Sequence, residues 1–549
     1  MNRTKTLLIA ALLSITSGLS AQTITLDLNQ SYQTIGHWEN GGYLPPDLQQ
    51  YVIDDVVALS VDTLGINRLR LEIRSGTEYN ADNYQLYTDS IIDYDTWRSL
   101  RYATVNDNND PHTIDWAGFH FTEFDEKIEN IIIPFRDRLQ QNGSNLYINL
   151  CIVAFTEQLN GGAGGTIIHQ DPEEYAEFIE AIFLHMQNQY GFVPDGVEVI
   201  LEPDVANFGN GTLMGQCLVA AGNRLSGIGY YPDFIACSNT NLNGTINYYP
   251  SFAAVTGVSN YWTEYSFHAY AGRTDANLVQ IASNAATSGV NTSMLEWWAN
   301  GHTYSYLHDC LRLANVSSYE FKGSFGTPGN NWSSGLLQIV DNGNNNYSLA
   351  LQRPTKYFRH YFKLIRPGAI RYEATSTDAN FDAVAFINPD GMLLLNIDAS
   401  TAGTVQIAGL PAGTYQTIYS LGDGKQEPNP YWAMSETDTI DMGEQMDLQI
   451  ADKGVYSIVQ LTSSVPTSVV DKDELKVPYA IRTEHGMMWV TATGSHSIDR
   501  ISIYSVIGQQ VLSQSFNGSQ SALISYAGLV EGVYIIRVND EFTEKVFLR

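Results

Sequence analysis

Two glutamates stand where a strand-like run stops. Glu202 closes the apolar run 197–201 and precedes Pro203, and Glu296 closes the run 292–295 and precedes Trp297 and Trp298. Proline disfavours helical backbone in the residue before it and has no N–H to continue a ladder, so Glu202 is expected to be extended and at the end of its strand. In a parallel barrel of alternating strands and helices, reactive side chains sit at the C-terminal strand ends. Two carboxyl groups facing each other across such a mouth can flank one glycosidic bond. Position alone does not single out this pair. Glu39, Glu72, Glu157 and Glu264 stand in similar places, and a strand-end glutamate can simply pair with an arginine.

The elements that would hold these acids alternate in the way an α/β fold with a parallel sheet requires. The best-marked unit starts at Asp171, a capping residue, followed by Pro172 at the first helical position and by Glu173 and Glu174 at the positive helix end. Tyr175, Phe178, Ile179, Ile182, Phe183 and Met186 recur at helical spacing until Gly191. Strand-like runs at 67–73, 146–153, 197–201, 233–237, 265–268, 292–297 and 319–325 alternate with helical patterns at 124–140, 212–226, 278–286 and 304–314. This is a barrel-sized set of βα units. An Asn/Gly-rich stretch over 326–347 reads as a long loop with a weak strand, and a helix is predicted over 349–364. From about residue 368 to 461 short alternating strands separated by Gly and Pro turns predict a β-sandwich. A linker follows at 462–478 and a further small β region at 479–549.

Arg3 and Lys5, the apolar stretch 7–13 and the small residues Ser17, Gly18, Ser20 and Ala21 read as an export signal over 1–21. The apolar stretch is short of the ~20 residues a membrane span needs, and no later segment reaches that length. The expected product is therefore exported, with no membrane span. A net charge of −30 over 549 residues argues against nucleic acid or an anionic membrane as partner. Tyrosine (33) and tryptophan (9) are abundant, which suits a cleft whose flat rings cover the C–H faces of sugars. The four cysteines (151, 217, 237 and 310) show no metal-like spacing. Cys151 reads as an inert apolar residue, and a bridge among the others stays open.

Taken in order, several segments resemble glycoside hydrolase family 30, a family of the clan of retaining glycosidases built on a (β/α)8 barrel. Gln33-Thr34-Ile35-Gly36 resembles the approach to its first strand, and Arg70-Leu71-Glu72-Ile73 its second-strand segment. Glu202-Pro203-Asp204, Ser266-Phe267-His268-Ala269-Tyr270 and Met294-Leu295-Glu296-Trp297 resemble the fourth, sixth and seventh strand ends. Phe362-Lys363-Leu364-Ile365-Arg366-Pro367-Gly368-Ala369 resembles the join between barrel and sandwich. The resemblance implies a (β/α)8 TIM barrel over 22–375 with an associated β-sandwich over 376–461. It implies a retaining hydrolase of β-glycosidic bonds in a polysaccharide or oligosaccharide, working without metal or cofactor. Glu202 would be the acid/base and Glu296 the nucleophile. Arg70 and Tyr270 would hydrogen-bond Glu296 and favour its charged form, and His268, Trp297 and Trp38 would line the sugar site. Glu202 would have to hold a proton as the leaving oxygen departs.

Two departures stand out. The family is usually Phe-Gly where this chain reads His37-Trp38-Glu39, and Leu201 occupies the place of the asparagine that bonds the sugar 2-hydroxyl. The second departure implies that another side chain replaces the amide, that the sugar is unusual at C2, or that the barrel binds glycans without cutting them.

The segment 501–509 and the segment 532–538, with Lys545 and Val546 in a closing strand, resemble the sorting domain of the type IX secretion system over 479–549. That resemblance implies the type IX machinery as partner, and release or surface attachment after outer-membrane passage.

Overall fold

The computed structural model describes residues 22–463 and 479–548. Excepted are 42–43, 45–47, 156–166, 298–302, 323–324, 327–334, 345, 423–432, 442, 485–486, 493–496, 506–509, 527–528, 530–531 and 540–541. The export signal, Glu157, Trp298 and almost all of the expected linker lie outside the described residues. The chain divides into two compact units, Met1–Ser464 and Val465–Arg549.

The first unit is built on a closed parallel barrel of eight strands. They are β2 (His37–Gly41), β3 (Arg68–Arg74), β4 (Tyr147–Val153), β5 (Gly196–Glu198), β6 (Asp233–Cys237), β7 (Trp262–His268), β8 (Asn291–Glu296) and β9 (Val316–Glu320). The preceding strand, β1 (Gln22–Thr34), is not part of the barrel: it pairs with Ile370–Ser376 and Gly403–Ala408 in a nine-stranded, sandwich-like sheet. From Gln22 the chain thus runs through the second sheet, enters the barrel, and returns to the same sheet after residue 369.

The helix Pro172–Tyr190 shows why the barrel wall forms where it does. Asp171 accepts a hydrogen bond from the Glu173 N–H, Pro172 opens the helix, and Gly191 ends it at φ 75°. Its six periodic apolar side chains are all fully buried, each worth ~1.5–3 kcal/mol against the sheet. The strands alternate in the same economy: Leu69, Leu71 and Ile73 of β3 point outward to the helices and are buried in the main core, which leaves the even-numbered residues facing inward. After the barrel, Phe325–Gly326, Leu337–Asp341 and Tyr347–Leu351 form a small three-stranded sheet, so the helix expected from 349 begins only at Arg353, with Pro354 in its first turn. All four cysteines are buried and free.

In the second unit, Tyr479–Glu484, Met487–Ala492 and Ser521–Ser525 form one sheet. Gln510–Ser519, Ile498–Ser505, Gly532–Val538 and Phe542–Leu548 form another. Val490, Ile501, Ile503, Ile524 and Ile536 are among its core side chains.

Candidate active site

Along β3 the inward positions Arg68, Arg70, Glu72 and Arg74 climb the barrel axis at ~6.6 Å per step, twice the strand rise. They sort the barrel interior into three charged layers. At the lowest, the Arg68 guanidinium lies 2.6 Å from Glu39 and donates to both oxygens of Glu264 at 2.9 and 3.0 Å. Asn149 ties this layer upward, donating to Glu39 at 2.9 Å and to Glu198 at 3.3 Å. Glu39 and Glu264, two of the rival acids, are therefore partners of one arginine inside the barrel.

The middle layer holds the paired acids. Arg70 donates to Glu296 Oε2 at 2.5 Å and lies 3.2 Å from Glu320, while the Tyr270 hydroxyl donates to Glu296 Oε1 at 2.7 Å. Burial opposes the charge on Glu296, but Lys322, Arg70 and His268, with the Tyr270 hydrogen bond, hold its carboxyl well below the usual range. Burial raises the Glu320 carboxyl above the usual range against the pull of Arg70. His268, fully buried, lies between two carboxylates, with Nδ1 3.0 Å from Glu202 Oε1 and Nε2 3.8 Å from Glu198 Oε1. Burial would strip its proton, yet the neighbouring carboxylates of Glu198 and Glu202 and the charge of Glu296 raise it to about 9. Burial works against Glu198 too, but His268 and Arg70 bring it down to about 2.

Glu202 departs from the extended conformation expected before a proline. Its φ is 49°, in the left-handed region. The cause is a tight turn at the strand end: its carbonyl accepts from the N–H groups of Val205 and Ala206, and its own N–H donates to Ser238. The turn lets Asp204 bind Thr240 through both backbone and hydroxyl. Non-glycine backbone in this region costs on the order of 1–3 kcal/mol and concentrates at functional sites. An oxygen of Glu202, a nitrogen of His268 and an oxygen of Glu296 all lie within 4.8 Å of one another. Such a trio could ligate a metal ion, though a cation there would compete with Arg70 and Lys322 for Glu296.

Of the expected sugar-contacting residues, Arg70, His268 and Tyr270 meet at the acid pair. Trp38 does not. It is fully buried, stacks on Phe362 at 4.7 Å between centroids, and donates to the Ile365 carbonyl at 2.6 Å. Strand alternation explains the correction: with Glu39 inside the barrel, Trp38 must face outward into the core. Trp297 is 6% exposed, with the Arg273 guanidinium 4.4 Å above its ring. Leu201 is also buried, in a satellite cluster with Tyr102, Cys151 and Val153, against which Phe155 packs.

Glu198, Glu320 and Lys322 were not singled out in the sequence. Lys322 stands 3.6 Å from Glu296 and 2.8 Å from Glu72. The signal for Glu198 was available: it is an acid at an inward position between the apolar outward positions Val197 and Val199.

The barrel and its second sheet have the fold of glycoside hydrolases of family 30 and its relatives. The catalytic domain of a GH30 xylanase C from Talaromyces cellulolyticus superimposes with a TM-score of 0.59 at 15% identity, over 80% of this chain and all (100%) of that one. A GH30 endoxylanase from Clostridium papyrosolvens C71 gives 0.55 at 14% identity, over 80% of this chain and 99% of its own. An endo-β1,6-glucanase gives 0.55 at 15%, over 81% and 96%. No curated protein sequence matches the chain. Residues 485–547 match the secretion system C-terminal sorting domain. The chain is thus a type IX export substrate, destined for the medium or the cell surface, and among the described residues no helix is long and apolar enough to cross a membrane.

Proposed function

We propose that the chain is a retaining glycoside hydrolase that cleaves β-glycosidic bonds of a polysaccharide or oligosaccharide by double displacement. The observation that carries this reading is the carboxyl pair itself. Oxygens of Glu202 and Glu296 lie within 4.8 Å at the barrel mouth, close to the ~5–5.5 Å spacing of retaining enzymes and short of the ~6.5–9.5 Å of inverting ones. Glu296, held ionised, attacks the anomeric carbon, while Glu202 gives its proton to the departing oxygen. Glu202 then takes a proton from water, which releases the sugar from Glu296. Tyr270 and Arg70 orient the nucleophile, His268 orients the acid/base, and Trp297 borders the sugar. The β-glycan activities named for the xylanases and the endo-β1,6-glucanase of the same fold support a β-linked substrate.

The test is a panel of plant, algal and microbial polysaccharides, followed by kinetics with aryl glycosides of the sugar found. Glu296→Ala is expected to abolish turnover and the covalent adduct seen by intact mass with 2-fluoro glycosides. Glu202→Ala should cost on the order of 10²–10⁴-fold with poor leaving groups and spare the first step with activated ones. A first-formed sugar of inverted configuration by proton NMR would rule the mechanism out. Leu201, in the place of the usual amide, favours a second reading, a glycan-binding barrel without turnover; binding with no hydrolysis across the panel would decide for it.

A further inference from the structure

The uppermost charged layer is not balanced. Glu72 is shared by Lys322 at 2.8 Å and Arg74 at 2.9 Å, and Glu123 by Lys127 at 3.0 Å, Arg74 at 3.5 Å and Arg101 at 3.6 Å. Four cations thus converge on two carboxylates, in a protein whose net charge is −30. Arg70, which also reaches Glu72, is already engaged by Glu296. The Nε atoms of Arg74 and Arg101 are buried without a hydrogen-bond acceptor.

The place of this excess is informative. Glu72 and Arg74 end β3, Lys322 follows β9 by two residues, Arg101 comes from the long insertion after β3, and Glu123 and Lys127 lie in the helix Thr122–Lys127 that ends it. All of these border the C-terminal face of the barrel, where the paired acids are, and Lys322 touches Glu296 directly. The six side chains keep between 10 and 19% of their surface exposed, so the layer is a rim and not a sealed core. Removing cations from water without enough counter-charge is costly. The strain is visible: burial, with Arg74 adding to it against the pull of Glu123, brings Lys127 down to about 8, and burial followed by the Arg74 charge lowers Arg101. An anion placed against the rim would relieve both.

We infer that the rim formed by Lys322, Arg74, Arg101 and Lys127 binds an anionic substituent of the sugar chain, a uronic-acid carboxylate or a sulfate ester. This deepens the glycosidase reading and rests on it for the identity of the ligand as a glycan. Guanidinium and ammonium groups suit both substituents, since each offers planar or tetrahedral oxygens to charge-assisted donors. General ionic attraction would not produce such binding, because the protein as a whole repels polyanions.

The experiment is affinity electrophoresis of the full chain in gels containing polymannuronate or ι-carrageenan, each beside its carboxyl-reduced or desulfated counterpart. The two polymers separate the carboxylate source from the sulfate source. Retardation by at least one anionic polymer and not by its neutral counterpart is expected, weakening as salt is added. Lys322→Gln and Arg101→Gln should each lower the affinity about tenfold, the loss of one charge-assisted hydrogen bond. Equal retardation by charged and neutral forms, no retardation by either anionic polymer, or unchanged retardation in both variants would overturn the inference. Retardation without hydrolysis of any glycan would remove the glycosidase reading and leave the rim; hydrolysis of neutral glycans with no anionic preference would do the reverse.

Discussion

His268 Nδ1 lies 3.0 Å from Glu202 Oε1, and the opposite ring nitrogen faces Glu198 at 3.8 Å. Glu198 sits four residues before Glu202, and the imidazole faces both carboxylates. With His268 raised to about 9, the ring is an imidazolium at neutral pH and fixes the orientation of Glu202 by donating to it. Replacing Glu198 by Gln removes an anion beside the imidazolium and should lower the His268 pKa. The expected readout is a His268 ring titration by NMR displaced toward acid. A ring titration left in place would mean that Glu198 does not hold the charge on His268.

The buried charges also set the pH dependence of stability. Glu39 and Glu320 are raised by burial from 4.5 to about 7 and about 8, and His268 from 6.5 to about 9 through its carboxylate partners. A raised folded value gives stability that is complete below the unfolded value and lost as pH rises through the folded one. On the acid side, Glu123 and Glu198, both brought to about 2 against the effect of burial, lose theirs as pH falls from 4.5 through that value. Thermal melts should therefore show a maximum near about pH 5 and a steady fall toward about pH 9. Glu320→Gln should flatten the alkaline slope, and a wild-type Tm constant over that range would contradict the assignment.

Passage from the periplasm outward is expected to depend on the C-terminal unit. Its match to a secretion sorting domain covers residues 485–547, and its hydrophobic core is built from its own two sheets. Removing residues 479–549 should leave the barrel folded and hold the protein in the periplasm. Fractionation that finds the truncated chain in the medium at wild-type levels would show that another segment carries the signal.

Seven of the eight barrel strands and the Asp171–Gly191 helix unit were legible because burial of apolar periodicity is a local pattern, whereas β2, with Glu39 and Asn40 in its five residues, carries no such run. The pairing inside the barrel was not, because it joins Arg68 to Glu264 and Arg70 to Glu296, which no local pattern connects. Arg70, Tyr270 and His268 were named through the family resemblance, not through spacing. Trp38 was misjudged by residue type, although its neighbour Glu39 at an inward position already required it to face out. Lys322 was missed for a different reason. Reading the last strand as 319–325 placed it in mid-strand, whereas β9 ends at Glu320 and leaves Lys322 at the mouth. The conformation of Glu202 was beyond reach, because the turn that inverts its φ is fixed by Ser238 and Thr240 from another strand end.

Leu201 tests how far a family habit can be restored by one substitution. From the sequence, an amide at this position would be expected to reach a sugar 2-hydroxyl and to improve turnover of ordinary gluco- or xylo-configured glycosides. The structure gives the side chain a different setting. Leu201 is 4% exposed and packs with Tyr102, Cys151 and Val153, while its N–H donates to the Ile152 carbonyl. Tyr102 arrives from the long insertion after β3 and shares this buried cluster. An asparagine there would place an amide among apolar groups, at a cost of ~1–3 kcal/mol if left unpaired. Leu201→Asn is therefore expected to lower the unfolding free energy by roughly that amount in denaturant titrations, with no gain in kcat/KM on plain aryl glucosides or xylosides. Leu201→Met, which conserves volume and polarity, should cost less than ~1.5 kcal/mol. A Leu201→Asn variant that is as stable as wild type and faster on those glycosides would mean that Tyr102 moves aside in the presence of substrate and that position 201 does face the sugar.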